Sequence, residues 1–208
     1  MDRYRHWTDV YRTRRPDEVS WYQPRTELSR ALIERALPNR EAPLLDVGGG
    51  ASRLAAELWA AGYRDLTVLD LAAEALEEAR RAMGASPEPA SRGVRWVVGD
   101  MLNIPVAKGA IALWHDRAAF HFLTDAGDRA RYLDELRRVL RPEGLALIAT
   151  FAEDGPERCS GLPVVRYGPG EMAEALGAGF QLLETRREAH RTPSGGTQAF
   201  RYFLSRRR

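Results

Sequence analysis

The chain has 208 residues, 44% of them hydrophobic, and its 31 basic and 29 acidic residues leave a formal net charge of +2. This length and composition fit a globular domain with its own core and exclude a disordered chain. The balanced charge gives no strong nucleic-acid signal, the single cysteine excludes an intrachain disulfide, and no apolar run could span a membrane. Because the N-terminus lacks the apolar core of a signal peptide, we expect a soluble cytoplasmic protein, and its scattered histidines predict no metal site.

Two helices are predicted before the first strand, at 3–14 and 25–37. The connection between them contains Trp21 and Tyr22. These aromatic side chains could close over a ligand and exclude water, or they could simply attach the helices to the sheet. We favour a lid, because both residues lie in the connection and not on a helix face. Residues 1–40 are therefore predicted to be a helical lid or extension, followed by the main domain at 41–208.

The main domain alternates short apolar segments with segments of helical period. The predicted strands are 43–47, 66–70, 94–99, 110–115 and 145–151, and the predicted helices are 52–61, 72–83 and 127–140. Such alternation is typical of a parallel sheet with helices on both faces. The tail differs, because two further strands, 180–188 and 197–205, flank a turn-rich segment without a helix. We expect them to form an antiparallel hairpin.

A glycine turn lies between the first predicted strand and the first helix. Gly48, Gly49 and Gly50 allow a tight turn and a close approach of the backbone to a ligand, and Ser52 is a plausible N-cap. A phosphate-binding loop would need a lysine after the glycines, and a dinucleotide fingerprint would need a glycine where Arg53 stands. Asp46, at the strand end, suits a cationic group such as the ammonium of a methionine moiety.

The next two strands also end in acidic residues. Asp70, about 20 residues beyond the glycine turn, can accept hydrogen bonds from both hydroxyls of a ribose. Asp100 could accept the amino group of an adenine, with Met101 against the ring. Each acid could also be a solvated strand end. Acids at three successive strand ends, with a glycine turn at the first, together favour a nucleoside site.

The pattern Asp46-x-Gly48-x-Gly50-x-Ser52 resembles that of the class I S-adenosylmethionine-dependent methyltransferases, with Ser52 in place of the last glycine. The resemblance implies a Rossmann-like, doubly wound α/β fold with seven strands in the order 3-2-1-4-5-7-6, strand 7 being antiparallel. It implies S-adenosylmethionine as the cofactor. The predicted cofactor-binding residues are Asp46, Gly48, Gly49, Gly50, Asp70, Leu71, Asp100, Met101, Trp21 and Tyr22.

Two narrower resemblances point to different acceptors. The run Trp-His-Asp-Arg-Ala-Ala at 114–119 and the segment Ser-Trp-Tyr-Gln at 20–23 look like the thiopurine and thiol methyltransferase group. Asp-Arg-Ala at 116–118 also resembles, more weakly, the Asp-Lys-Gly of protein-lysine methyltransferases that carry an N-terminal aromatic pair.

Three residues after the fourth strand are the catalytic candidates. Methyl transfer requires alignment of the groups and sometimes removal of one proton. His115 could be the general base, Asp116 could orient it or hold a cationic acceptor, and Arg117 could hold an anionic one. Alternatively, Asp116 and Arg117 pair with neighbours and His115 is a packing residue. Cys159, in a later loop, is expected to be an inert thiol.

The sequence therefore predicts a methyltransferase with a small-molecule acceptor, such as a thiol or another soft nucleophile. A protein-lysine methyltransferase is the alternative within the class, and an NAD-dependent oxidoreductase is the alternative from another class. A binding module that keeps the nucleoside site without catalysis is a further alternative. No membrane or nucleic-acid partner is expected, and the oligomeric state is left open.

Overall fold

The computed structural model describes residues 3–84 and 93–208, so residues 1 and 2 of the predicted extension and residues 85–92 lie outside it. The elements in chain order are α1 (Arg3–Thr13), a 3-10 helix η1 (Pro16–Glu18), α2 (Glu27–Ala36), β1 (Leu44–Val47), α3 (Leu54–Ala60), β2 (Leu66–Asp70), α4 (Ala73–Ala82), β3 (Arg95–Val98), β4 (Ile111–Arg117), η2 (Phe120–Phe122), α5 (Ala126–Val139), β5 (Leu140–Phe151), β6 (Arg158–Cys159), β7 (Leu162–Pro163), α6 (Pro169–Leu176), β8 (Phe180–Arg191) and β9 (Thr197–Arg207). Among the described helices, none combines the length and the apolar character that a membrane crossing requires.

Seven strands form one sheet in the order β3-β2-β1-β4-β5-β9-β8. The first five strands of this order are parallel, whereas β9 runs antiparallel to both β5 and β8. The short hairpin of β6 and β7 lies outside this sheet, so β8 and β9 are its sixth and seventh strands along the chain. The predicted fold class, strand order and antiparallel last strand are confirmed.

The core has two layers because successive side chains of a strand point to opposite faces of the sheet. Leu44 of β1 and Leu113 of β4 belong to the layer that contains the apolar side chains of α2 and α3. Leu45 and Trp114, their neighbours in the chain, belong to the layer under α5 and α6. Helices therefore cover both faces, and the carboxyl ends of the parallel strands stay accessible at one edge.

Two predicted boundaries were wrong. Helix α3 begins at Leu54, so Ser52 is not its N-cap, although the Ser52 hydroxyl accepts a hydrogen bond from the Leu54 N–H at 3.1 Å. Strand β5 already begins at Leu140, directly after α5, and its register to β4 then shifts around a residue with positive φ, Glu143 (60°). A bulge of this kind interrupts the alternation of apolar residues, so the pattern showed only the regular part of the strand.

Five short elements were not predicted, and two of them are the three-residue 3-10 helices η1 and η2. Helix α6 has only eight residues, and β6 and β7 have two residues each. Segments of this length hold too few residues for a period to be recognised. The tail strands were predicted, but both extend further than the sequence pattern indicated, to Arg191 and Arg207.

A buried hydrogen-bonded chain fixes α5 against β4. The Trp114 indole donates to the Tyr132 hydroxyl at 3.0 Å, and Tyr132 donates to Asp116 Oδ2 at 2.7 Å. The Asp116 carboxylate also accepts the N–H groups of Ala119, at 2.9 Å, and Phe120, at 3.0 Å. Burial raises the pKa of Asp116 to about 6, although the hydrogen bond from Tyr132 opposes this shift. The carboxylate thus organises the turn after β4.

We predict that Tyr132→Phe lowers the free energy of unfolding by roughly 1–3 kcal/mol, because it leaves the buried Trp114 N–H without its acceptor and removes one of the two hydrogen bonds to Asp116 Oδ2. Urea denaturation at neutral pH measures the change. The matched control is Tyr4→Phe, whose ring is 55% exposed, and it should change stability by less than about 0.5 kcal/mol. Equal effects of the two substitutions would contradict the proposed importance of the hydrogen bonds that join Trp114, Tyr132 and Asp116.

Candidate functional site

The turn after β1 is built from glycines whose backbone a side chain would block. Gly48 and Gly50 have positive φ values of 64° and 53°, which favour glycine. A Cβ on Gly48 would lie 2.6 Å from Ala119 Cβ, and one on Gly50 would lie 2.5 Å from the Tyr11 hydroxyl. A Cβ on Gly49 would lie 2.7 Å from Asp46 Oδ2. The turn is therefore packed tightly among its neighbours; Gly48 and Gly49 line the crevice described below, whereas Gly50 does not.

Asp46 and His115 form a buried pair on neighbouring strands. They are direct partners in the β1–β4 register, and His115 Nδ1 lies 2.7 Å from Asp46 Oδ1. The other ring nitrogen, Nε2, lies 3.0 Å from the hydroxyl of Ser29 on α2. Because both nitrogens of His115 are occupied, this geometry argues against the expected general base and favours a structural pairing.

Asp70 ends β2 beside the glycine turn. Its Oδ1 accepts the N–H of Ala72 at 2.9 Å, at the start of α4. Burial raises the pKa of Asp70 to about 6, and nearby Asp46 adds to this shift, whereas hydrogen bonds from the backbone of Ala72, Gly50 and Leu71 oppose it. The carboxylate is thus anchored by backbone amides while it lines the cavity described below.

Asp100 lies in the turn after β3, at the rim of the cavity. Its Oδ1 accepts the N–H of Leu102 at 2.9 Å, and its Oδ2 lies 3.3 Å from Nη2 of Arg3 on α1. Gly99 and Met101, its two neighbours in the chain, line the cavity, whereas Asp100 is not among the lining residues. The carboxylate thus holds the turn that presents Met101, and its contact with an adenine amino group stays a prediction.

The crevice at this edge of the sheet consists of two lobes. The first lobe, of about 680 Å³ including its open mouth, is lined by Asp70, Leu71, Met101 and residues of the turn after β4. The second lobe, of about 590 Å³, is lined by Asp46, Gly49 and His115. Four residues line both lobes, which makes the lobes neighbours across the glycine turn: Tyr11, Trp21, Gly48 and Arg117.

The connection between η1 and α2 is fastened to the rest of the protein. The carbonyl of Ser20 accepts from His190 Nε2 at 2.8 Å, and that of Trp21 accepts from Arg117 Nη1 at 3.2 Å. The Gln23 amide donates to Glu188 at 3.0 Å. We call residues 19–23 the strap. Trp21 of the strap lines both lobes and Tyr22 lines the second.

Helix α1 contributes site residues that the sequence did not assign to the cofactor. Tyr11 lines both lobes, and burial together with the nearby charge of Asp70 raises its pKa. The Trp7 ring makes edge contacts with Trp21, at 5.6 Å between ring centroids, and with Phe122, at 4.9 Å. The many aromatic residues of the N-terminal segment were the sequence signal for this wall of the crevice. That signal did not show that aromatic residues of α1 line the crevice together with those of the connection.

Asp116 and Arg117 serve mainly as structural partners. Asp116 is fully buried and lines neither lobe, which corrects the expectation that it borders the acceptor. Arg117 lines both lobes, but its guanidinium is already bonded to Glu188 at 3.2 Å and to the Tyr202 hydroxyl at 3.0 Å. The alternative in which both residues pair with neighbours is thus the one that the structure favours.

Cys159 lines the first lobe, as do Phe122 and Ala119. Its thiol is buried, and burial raises its pKa to about 11. A thiol with such a pKa stays protonated at neutral pH and is a poor nucleophile. This placement agrees with the expected inert thiol, although the side chain does reach the cavity wall.

Part of this chain is similar in sequence to known methyltransferases. Residues 44–144, from β1 into β5, match the family described as methyltransferase domain. The malonyl-[acyl-carrier protein] O-methyltransferase of Enterobacter lignolyticus (strain SCF1) is 34% identical over 140 residues, which are 64% of this chain and 50% of that protein. The chain thus spans about half the length of the curated relatives first matched.

Solved structures share the fold over more of the chain. The structure described as "Conversion of a Disulfide Bond into a Thioacetal Group during Echinomycin Biosynthesis" has a TM-score of 0.73 at 20% identity, covering 97% of this chain and 91% of that one. The Burkholderia thailandensis 1,6-didemethyltoxoflavin-N1-methyltransferase, solved with 1,6-didemethyltoxoflavin and S-adenosylhomocysteine, has a TM-score of 0.67 at 24% identity, covering 86% and 76%.

The matched segment contains the glycine turn and the carboxylates of Asp46 and Asp70. Residues 44–144 thus match a methyltransferase domain, and the chain has a seven-stranded Rossmann-like fold that it shares with the solved methyltransferase structure.

Proposed function

We propose that this chain transfers the methyl group of S-adenosylmethionine to a small-molecule acceptor. The observation that carries the proposal is the meeting of Asp46, Asp70 and the glycine turn on one crevice, inside the segment that matches a methyltransferase domain. Ligands of open α/β sheets bind at this edge. The glycine turn borders the ligand in this proposal, because Gly48 lines both lobes and Gly49 lines the second.

In this proposal the first lobe holds the nucleoside. Asp70 accepts the ribose hydroxyls, since its carboxylate is fixed by backbone amides and faces the cavity. Leu71 and Met101 enclose the adenine, because both line the same lobe next to Asp70. Asp100 contributes through the turn that it holds. The Tyr11 hydroxyl, next to Gly50, closes the crevice from the side of α1.

The second lobe holds the methionine end in this proposal. Asp46 supplies a buried carboxylate for the ammonium group, and the backbone of Gly48 and Gly49 borders it. Trp21 and Tyr22 cover the lobe from the strap. S-adenosylmethionine supplies a methyl group on a positively charged sulfur, which a nucleophile takes in line without any proton for the leaving thioether.

The acceptor end of the first lobe is apolar and aromatic. Trp7, Trp21, Phe122 and Ala118 line it, and the cation Arg117 lies beside them. An acidic wall would favour a lysine acceptor, but Asp116 is outside the lobe and bonded to Tyr132. We therefore favour a small acceptor with an apolar body over a protein lysine.

The acceptor nucleophile should already be ionised near neutral pH. Both ring nitrogens of His115 and the carboxylate of Asp116 are occupied, and the Cys159 thiol is protonated. No general base is therefore assigned among the described lining residues. Thiols and carboxylates ionise without strong assistance, whereas alcohols and lysine amines do not. We propose a thiol or a carboxylate as the acceptor, and the cytoplasm, where Cys159 stays reduced, as the compartment.

The affinity for S-adenosylhomocysteine should depend on the ionisation of Asp70. An ionised carboxylate accepts both ribose hydroxyls, so the affinity is full above the Asp70 pKa of about 6 and falls as the pH drops through it. Calorimetric titration between pH 5 and 8 measures this profile. Asp70→Asn should bind more weakly at pH 8 and lose the pH dependence. The control Asp65→Asn, at the opposite end of β2, should keep the original profile.

Labelled S-adenosylmethionine should transfer its methyl group to apolar thiols or carboxylates and not to lysine peptides. Trp21→Ala should raise the KM for the acceptor, because it removes part of the apolar wall. Trp59→Ala, a partly buried tryptophan of α3 outside both lobes, should leave this KM unchanged. Transfer to lysine peptides alone would contradict the acceptor assignment, and binding of NADH without S-adenosylhomocysteine would favour the oxidoreductase alternative.

A further inference from the structure

We propose that His115 is a positioning residue that fixes the Asp46 carboxylate for the methionine ammonium group. This inference rests on the proposed function, because it concerns the second lobe of the same crevice. It replaces the role of general base that the sequence suggested. The residue acts through Asp46 and needs no contact with the reacting atoms.

The geometry leaves His115 little freedom. Its side chain and that of Asp46 are only 4% and 6% exposed, and they face each other in the register of β1 and β4. The ring is held at both ends, by Asp46 Oδ1 at 2.7 Å and by the Ser29 hydroxyl at 3.0 Å. A ring held at two ends cannot turn without losing a buried hydrogen bond.

The donors and acceptors of Asp46, His115 and Ser29 are consistent with one another. If His115 Nδ1–H donates to Asp46, its Nε2 accepts from the Ser29 O–H, and both ring nitrogens have a partner. Asp46 then remains a carboxylate with Oδ1 fixed. Its other oxygen, Oδ2, lies on the side of Gly49, 2.7 Å from where a Cβ of that residue would be, and Asp46 lines the second lobe. The pair can thus offer a fixed anionic oxygen to a cation in the second lobe.

Ser29 also lies close to the end strands, because its Oγ is 3.5 Å from the Tyr202 hydroxyl of β9. With the Ser29 O–H donated to His115 and the Tyr202 O–H donated to Glu188, this pair is a contact without a shared proton. The hydrogen-bonded network at the second lobe therefore consists of residues from β1, β4 and α2. In such networks the outer partners orient the group that contacts the ligand.

Two amide variants separate the two hydrogen bonds of His115. The shorter amide of His115→Asn can replace Nδ1 and keep the bond to Asp46, whereas the longer amide of His115→Gln replaces Nε2 and loses it. Two ligands separate the two lobes, because S-adenosylhomocysteine carries the amino-acid end and 5′-methylthioadenosine lacks it. Calorimetric titration of each ligand with each variant gives the complete comparison.

We expect His115→Gln to weaken S-adenosylhomocysteine binding by about tenfold and His115→Asn to weaken it by less than about threefold. Neither variant should change the affinity for 5′-methylthioadenosine by more than about twofold. Ser29→Ala should also weaken only the ligand with the amino-acid end, by a smaller factor.

Equal losses in the two histidine variants, or equal losses for the two ligands, would overturn the inference and leave the proposed function standing. Failure of the unaltered protein to bind either ligand would overturn the proposed function itself. Thermal unfolding of all variants reports folding independently. If His115→Gln does not fold, the result for Ser29→Ala decides, and an unchanged S-adenosylhomocysteine affinity there overturns the inference.

Discussion

The absence of side chains at Gly48, Gly49 and Gly50 is the constraint on which the site depends. Strand β1 lies between β2 and β4, so the turn that follows it is surrounded by groups from both sides. Val68 of β2, Ala119 after β4 and Tyr11 of α1 approach this turn so closely that a Cβ would clash with each of them. Because the turn takes so little room, the two lobes meet across it, and one elongated ligand could contact the ends of several strands.

The second constraint is the cost of burying charge, which this protein meets with a separate set of partners for each carboxylate. Asp46 is paired with His115, Asp70 is held by backbone amides, and Asp116 accepts from Tyr132 and the turn after β4. Only the first two of these carboxylates line the crevice. Because their partners hold them in place, Asp46 and Asp70 present oriented hydrogen-bond acceptors to the crevice.

The C-terminal antiparallel strands contribute to the site through the strap. Glu188 and His190 of β8 bind residues of the strap, and Glu188 also holds Arg117 at the end of β4. The position of Trp21 thus depends on strands that come much later in the chain. The N-terminal segment is therefore divided into a strap fastened to the sheet and a helix, α1, whose Arg3 pairs with Asp100 and Asp128.

The sequence by itself determined the alternation of strands and helices, the glycine turn and the acids at the strand ends, because each of these is a pattern of residues close together in the chain. It therefore predicted the strand order through the family resemblance, and it predicted that Asp46 and Asp70 would lie at one crevice. It also predicted that Trp21 and Tyr22 would lie near that crevice, because both aromatic residues are in a connection and not on a helix face.

The tertiary structure alone decided which partner each polar side chain has. His115 meets Asp46 across 69 positions of sequence, Arg3 meets Asp100 across 97, and Arg117 meets Glu188 across 71. A strand pattern shows which face a side chain takes, but the register between strands and the packing of helices choose its neighbour. For that reason the sequence located the candidate residues, and only the folded chain distinguished those that line the crevice from those that hold it together.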